Sequence, residues 1–265
     1  MKISTTEFLE KYKQLFLNQT QGIAIFAYWK MKWLIENGDT FYIPEHDSYY
    51  LVWNNHLLIY YSPDNQLHLS TQELNNFDCI SLPAHMYETV KKNLVGFKSS
   101  YGWALRYDFN KHSKENSFQY EIVNFDFSNP THYTKAAWII NGGKDDWFSV
   151  SNVKKMTLYS AFDPSLWFFV REITTQDLVA ISISAYAPEV KQTDLDWIYV
   201  LPKYQGKGCG RFLIAETIQR CKAKSENICV AGAEEFYRKC GFVDYELWVW
   251  ASKDGYQFKA IGIQP

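Results

Sequence analysis

The stretch that most limits what this chain can fold into runs from Thr193 to Gly210, TDLDWIYVLPKYQGKGCG. An apolar strand leads into Val200-Leu201-Pro202, a short polar turn follows, and glycines stand at 206, 208 and 210. From Arg211 the pattern turns helical, through Phe212, Leu213, Ile214 and Ala215 to Glu216. The first backbone amides of a helix have no partner within it, and the helix dipole adds partial positive charge there. Glycines let a ligand come close to the backbone. Strand, glycine turn and helix start together make a candidate anion site, most often for phosphate.

The rest of the composition sets the class. A chain of 265 residues suits one large domain or two small ones. Hydrophobic residues at 47% and charged residues at 21% describe a soluble globular protein. The aromatic content of 18% reads as packing in sheets and cores. A net charge of -2 and the lack of a basic run exclude a nucleic-acid electrostatic footprint. The five cysteines are odd in number and form no Cys-x-x-Cys pair, so neither a disulfide framework nor a zinc site is expected, and no metal. Reduced thiols fit a cytoplasmic protein. The N-terminal MKISTTEFLEKYK is charged where a signal peptide needs an apolar core, and no apolar run is long enough to span a bilayer.

Along the chain, periodicity predicts helices over 5–18 and 22–36, then strands over 40–43, 49–53 and 56–61, with an Asn54-Asn55 hairpin turn. A short strand over 66–70, a helix capped by Ser70 or Thr71, a strand over 79–82, a helix over 84–94 and a strand over 102–109 complete the first half. The polar run NKHSKENS over 110–117 reads as a boundary, giving an N-terminal α/β domain at 1–115 and a second domain at 116–265. In the second, a strand over 120–127 precedes helices over 131–140 and 149–162. A hairpin over 166–173 and 178–187 precedes the opening strand, and the helix from Gly208 to about Lys224 follows it. A strand over 228–230, a helix over 233–240 and strands over 242–251 and 257–263 close the chain. This is a mixed α/β sheet. The first half alternates similarly, with no repeat in residue identity.

Three phosphate patterns compete for the glycine turn. A P-loop fails, because Lys207 is followed by Gly208 and not by Ser or Thr. A dinucleotide fingerprint fits weakly, since the spacing is G-x-G-x-G. The third is R/Q-x-x-G-x-G/A after a strand ending Val-x-Pro, met by Gln205, Gly208 and Gly210 behind Val200-Leu201-Pro202. Further on stands Phe236-Tyr237-Arg238-Lys239-Cys240-Gly241-Phe242. With these phrases, residues 119 to 265 resemble the GCN5-related N-acetyltransferase (GNAT) family, which binds acetyl-CoA. One departure is Val230, where the family often has Asn seven residues before the Tyr.

The resemblance implies a GNAT-like acyl-CoA N-acyltransferase fold in the C-terminal half, with acetyl-CoA as co-substrate. It implies that Gln205, Gly206, Lys207, Gly208, Cys209, Gly210 and Arg211 hold the pyrophosphate. Ile198, Tyr199 and Val200 would pair with the pantetheine arm, one amide meeting the acetyl oxygen. Tyr237 is the candidate general acid for the leaving thiolate. Asp196, preferred to Asp194, is the candidate base, the two lying two apart on a strand and so on one face with Val200. Glu234 and Glu235 read as solvated, Cys209 as no nucleophile, and Trp248 and Trp250 as core or interface. The expected activity is direct acetyl transfer to a small-molecule primary amine, with oligomeric state left open. Two alternatives stand beside it: a silent acyl-CoA-binding regulatory module, and a tandem GNAT transferase whose first half is a degenerate copy, using another acyl donor or a peptide-like acceptor.

Overall fold

The computed structural model describes residues 1–19, 27–111 and 119–254. The expected strand over 257–263 and the start of the second helix lie outside the described residues. Contacts group the chain into two units. The first holds residues 1–105, 231–234 and, of those described, 244–254; the second holds 106–230 and 235–243. The expected boundary was at 115/116, whereas contacts change unit between Leu105 and Arg106, and two later segments return to the first unit.

The first unit begins with α1 (Thr5–Leu17) and α2 (Tyr28–Asn37), then β1 (Asp39–Ile43), β2 (Ser48–Trp53) and β3 (His56–Tyr61). Asn54 and Asn55 both take positive φ between β2 and β3, which is what a tight hairpin asks of its turn. α3 (Thr71–Asn76), β4 (Cys79–Pro83), α4 (Ala84–Val90) and β5 (Phe97–Tyr107) follow. β1, β2 and β3 pair antiparallel, and β3 pairs parallel with β4. Leu57, Tyr60, Ile80, Leu82 and Val249 form its buried centre.

The second unit runs β6 (Tyr120–Asn124), α5 (Pro130–Ile140), α6 (Val150–Met156), β7 (Phe162–Glu172), β8 (Leu178–Ala187) and β9 (Gln192–Val200). Then come α7 (Cys209–Lys222), β10 (Asn227–Ala231), α8 (Glu234–Lys239) and β11 (Phe242–Lys253). β7, β8 and β9 pair antiparallel, and β9 pairs parallel with β10. Without β6, the order from α5 to α8 repeats the order from α1 to α4, strand direction included. The fold is therefore a mixed α/β sheet in each unit, and the N-terminal region is a second copy of the C-terminal one. β11 leaves the second unit after Val243 and continues in the first, where it pairs antiparallel with β4, Trp248 opposite Pro83 and Ser252 opposite Cys79.

Three elements differ from expectation. α6 ends at Met156 and not at 162, and β7 starts at Phe162 and runs through Asp163-Pro164. The ladder to β8 is interrupted between Phe162 and Trp167, so Pro164 sits where no ladder bond is required. The segment 66–70 is not a strand: Gln66 N–H donates to Asp64 Oδ1 and His68 N–H to the Tyr60 hydroxyl, so side chains take those amides.

Candidate active site

The site lies in the second unit and begins with an irregularity in β9. Leu195 pairs with Ser184 and Trp197 with Ile183, which leaves Asp196 as the extra residue of a β-bulge. The bulge reverses the alternation that ideal strand counting assumes. Thr193, before it, hydrogen-bonds Ser225 just past the end of α7, and Val200, after it, packs beside Gly210 at the start of α7. Asp194 therefore does not share a face with Val200, which corrects the reading from spacing alone.

On its other edge β9 pairs with β10 only as far as Asp194 opposite Cys229. From Leu195 to Val200 the parallel register no longer continues, so the edge of β9 that runs past Ile198, Tyr199 and Val200 parts from β10. An extended, amide-rich arm can pair with such an edge as an added strand would. All three residues are half-buried. Trp197 packs against Trp147 and Phe148 of the α5–α6 connection, and Tyr199 reaches Gly142, where a Cβ would stand 2.9 Å from its hydroxyl.

Past β9, Pro202–Tyr204 make one 3-10 turn and Gln205 folds back, its Nε2 donating to Val200 O at 2.8 Å. Gly206 has φ 73° and Gly208 φ 85°, both in the left-handed region. A Cβ at either would meet nothing within 4 Å. These two glycines keep open space in front of the backbone, and neighbouring packing does not call for them. Gly208 is the N-cap of α7 and no side chain caps the helix. Such a helix start presents its amides outward. Gly210 differs, since a Cβ there would press on the Phe236 ring at 3.1 Å. Lys203 and Lys207 reach over the Tyr204 ring, and Arg211 is exposed on the first turn of α7. Cys209 points inward, and burial pushes its thiol up to about 12, which removes it as a nucleophile at neutral pH.

Tyr237 sits on α8, 6% exposed, edge-on to Phe236 and Phe242. Burial raises its phenol above the ordinary range, with smaller contributions from Cys240 and from the Asp194 carboxylate. Asp194 is buried and faces Cys229, whose Sγ lies 3.8 Å from Oδ1. Asp196 is half-buried at the bulge. Val230 is buried, 4% exposed, at the end of β10. Glu235 is exposed and paired with Lys239. Glu234 is not simply solvated, because it is half-buried and accepts the Trp103 N–H at 2.7 Å. Sequence gave no hint of that bond, since its two ends lie 131 residues apart.

Residues 165–244 match the family model for the acetyltransferase (GNAT) domain. The C-terminal half carries a GNAT domain over these residues. That makes it an acyltransferase by class. Solved structures extend the likeness in fold. A GCN5-related N-acetyltransferase from Sphaerobacter thermophilus aligns with a TM-score of 0.62 at 15% identity, covering 82% of this chain and 80% of its own. A GNAT-family acetyltransferase from Colwellia psychrerythraea gives 0.63 at 14%, covering 96% and 99%. A tandem GNAT protein of the clavulanic acid biosynthesis pathway, solved without AcCoA, gives 0.58 at 11%, covering 97% and 99%. No curated protein matches the chain by sequence. The first GNAT-like unit differs from the second at the helix start that corresponds to α7. Its α3 is closed by a capping box, with Ser70 Oγ accepting Glu73 N–H and the Glu73 carboxylate accepting Ser70 N–H. Among the described residues no cluster of three or more metal-ligating side chains occurs, and no helix is long and apolar enough to cross a membrane.

Proposed function

We propose that the second unit transfers an acetyl group from acetyl-CoA to the primary amine of a small molecule, by direct attack within a ternary complex. The observation that carries this is the start of α7: a helix N-terminus with no side-chain cap, behind two positive-φ glycines that face open space. That arrangement fits a pyrophosphate, with Gln205 to Gly210 supplying backbone amides and Arg211 adding charge. The β9 edge from Ile198 to Val200 would take the pantetheine arm, and one of its amides would stabilise the developing oxyanion. Acetyl-CoA supplies a thioester, an acyl carbon joined to a good leaving group.

The chain's own groups supply the proton transfers. A carboxylate is needed to draw a proton from an alkylammonium, whose ordinary pKa is about 10.4. We assign this role to Asp196; its half-buried position as the extra residue of the bulge supports the reading. Tyr237 would protonate the departing thiolate. Its raised pKa keeps the phenol protonated across the working range, and the Asp194 charge contributes in the same direction.

Thermal denaturation with and without acetyl-CoA is the first test. Saturation at a hundredfold excess over the dissociation constant should add about 2.7 kcal/mol. Thiol release with a panel of primary amines should then show turnover, and Tyr237→Phe should lower kcat by about a hundredfold while acetyl-CoA binding persists. No thermal shift would sink the donor assignment. A shift without turnover for any amine would favour the regulatory module. Undiminished kcat in Tyr237→Phe would remove that residue from its role.

A further inference from the structure

The second unit contains a cavity of about 760 Å³ beside the α5–α6 connection, and no residue of the β9 edge or of the α7 start lines it. Its volume is that of a small-molecule pocket. One wall is α5, where Thr131, Lys135 and Trp138 follow helical spacing and so share a face. The other wall is the connection, with Asp145, Asp146 and Phe148. The connection is tied back to the end of α5. Asn141 Nδ2 donates to Phe148 O at 2.9 Å, and the Phe148 N–H donates to Asn141 Oδ1 at 3.2 Å. Phe148 is buried and its ring packs against Trp197. The two walls are therefore held in place before any ligand arrives, which lowers the cost of binding one.

The walls carry opposite charges that do not meet. Lys135 forms no ion pair among the described residues, and its Nζ lies 3.9 Å from the centre of the Trp138 ring. Burial lowers its pKa, and the Asp177 charge opposes that only in part. An ammonium whose pKa falls is stabilised less by its surroundings than by water. Asp145 and Asp146 are exposed. Asp146 Oδ1 accepts the Trp147 N–H at 2.8 Å, and neither carboxylate pairs with a cation among the described residues. A simple anion drawn to Lys135 would stand before two carboxylates. A simple cation drawn to the carboxylates would stand before Lys135. A molecule with a carboxylate at one end and an ammonium at the other suits both walls. The rings of Trp138 and Phe148 leave an aromatic surface for its apolar part.

We propose that this cavity binds a zwitterionic amino acid, its carboxylate at Lys135, its ammonium at Asp145 and Asp146, and an apolar or aromatic side chain along Trp138 and Phe148. The site shares no lining residue with the acyl-transfer machinery and stands whether or not the second unit acetylates amines.

The test is titration calorimetry on the full chain, without acetyl-CoA, using L-phenylalanine, 2-phenylethylamine and 3-phenylpropanoate. The second probe lacks the carboxylate and the third lacks the ammonium. Phenylalanine should bind saturably and roughly tenfold or more tightly than either. Lys135→Met keeps the stem without the charge and should bring phenylalanine down to the affinity of 2-phenylethylamine. The double variant Asp145→Asn, Asp146→Asn should bring it down to that of 3-phenylpropanoate. Equal affinity for phenylalanine and either partial probe, no binding of phenylalanine at millimolar concentration, or wild-type phenylalanine affinity in either folded variant would each overturn the proposal. If one variant fails to fold, the comparison of the three probes on the unaltered chain and the other variant decide the matter.

Discussion

His56 shows how far burial alone can set a residue's chemistry. It is fully buried at the start of β3, opposite Cys79, and shares a 2.7 Å hydrogen bond between Nε2 and Ser81 Oγ. Burial lowers its pKa from 6.5 to about 3. An unfolded histidine takes up a proton below about 6.5, while the folded one resists until about 3. The native state therefore binds fewer protons in that window, and stability is lost as pH falls through it. The loss has an upper bound of about 5 kcal/mol. Urea midpoints for the protein and for His56→Gln, measured from pH 7 to pH 3.5, should show a shallower decline in the variant. Parallel declines would mean that the acid sensitivity comes from carboxylates elsewhere. Residue-level reading also has a limit in β9, where a single extra residue at Asp196 sends Asp194 to the opposite face.

At the scale of elements, the decisive contrast is between two helix starts in equivalent places. α3 is capped by its own Ser70 and Glu73, and α7 is capped by no side chain. Ser70→Ala should cost about 1 kcal/mol of stability and leave acetyl-CoA binding untouched. Gly208→Val should cost about 1–2 kcal/mol for the left-handed backbone, and should in addition weaken acetyl-CoA binding at least tenfold, because its side chain would enter the open space. Calorimetry with acetyl-CoA on both variants separates the effects; equal binding in Gly208→Val would show that the space is not the donor's. The α7 start was legible in sequence because glycines at fixed spacing have few other uses. The end of α6 was not, because Asp163-Pro164 usually stops an element, yet here it falls in a ladder interruption within β7. Nor was the irregular path of 66–70, which depends on amides taken by Asp64 and Tyr60. The repeated order of the two units was legible in sequence only as an alternative, a degenerate first copy, because α3 is six residues long against fourteen in α7 and the glycine turn has no counterpart before it.

For the whole molecule, the units are not continuous in sequence. In the first unit β11 lies between β4 and β5, so its sheet is complete only when residues 244–254 are present. A fragment of residues 1–111 should therefore not fold alone. Its amide spectrum should remain collapsed and its far-ultraviolet circular dichroism should lack a cooperative thermal transition. A dispersed, cooperatively melting fragment would show that β4 and β5 can close up without their intervening strand. Segments such as 231–234 and 244–254 could not be assigned to the first unit by any local pattern, because what places them is pairing with residues more than a hundred positions upstream. The same strand has a meaning for how the protein is made. A ribosome releases the amino end first, so β4 and β5 must wait through nearly the entire translation of the second unit before β11 emerges to join them. During that interval the nascent chain carries strand edges open to other chains. The length of that wait is fixed by the order of the gene.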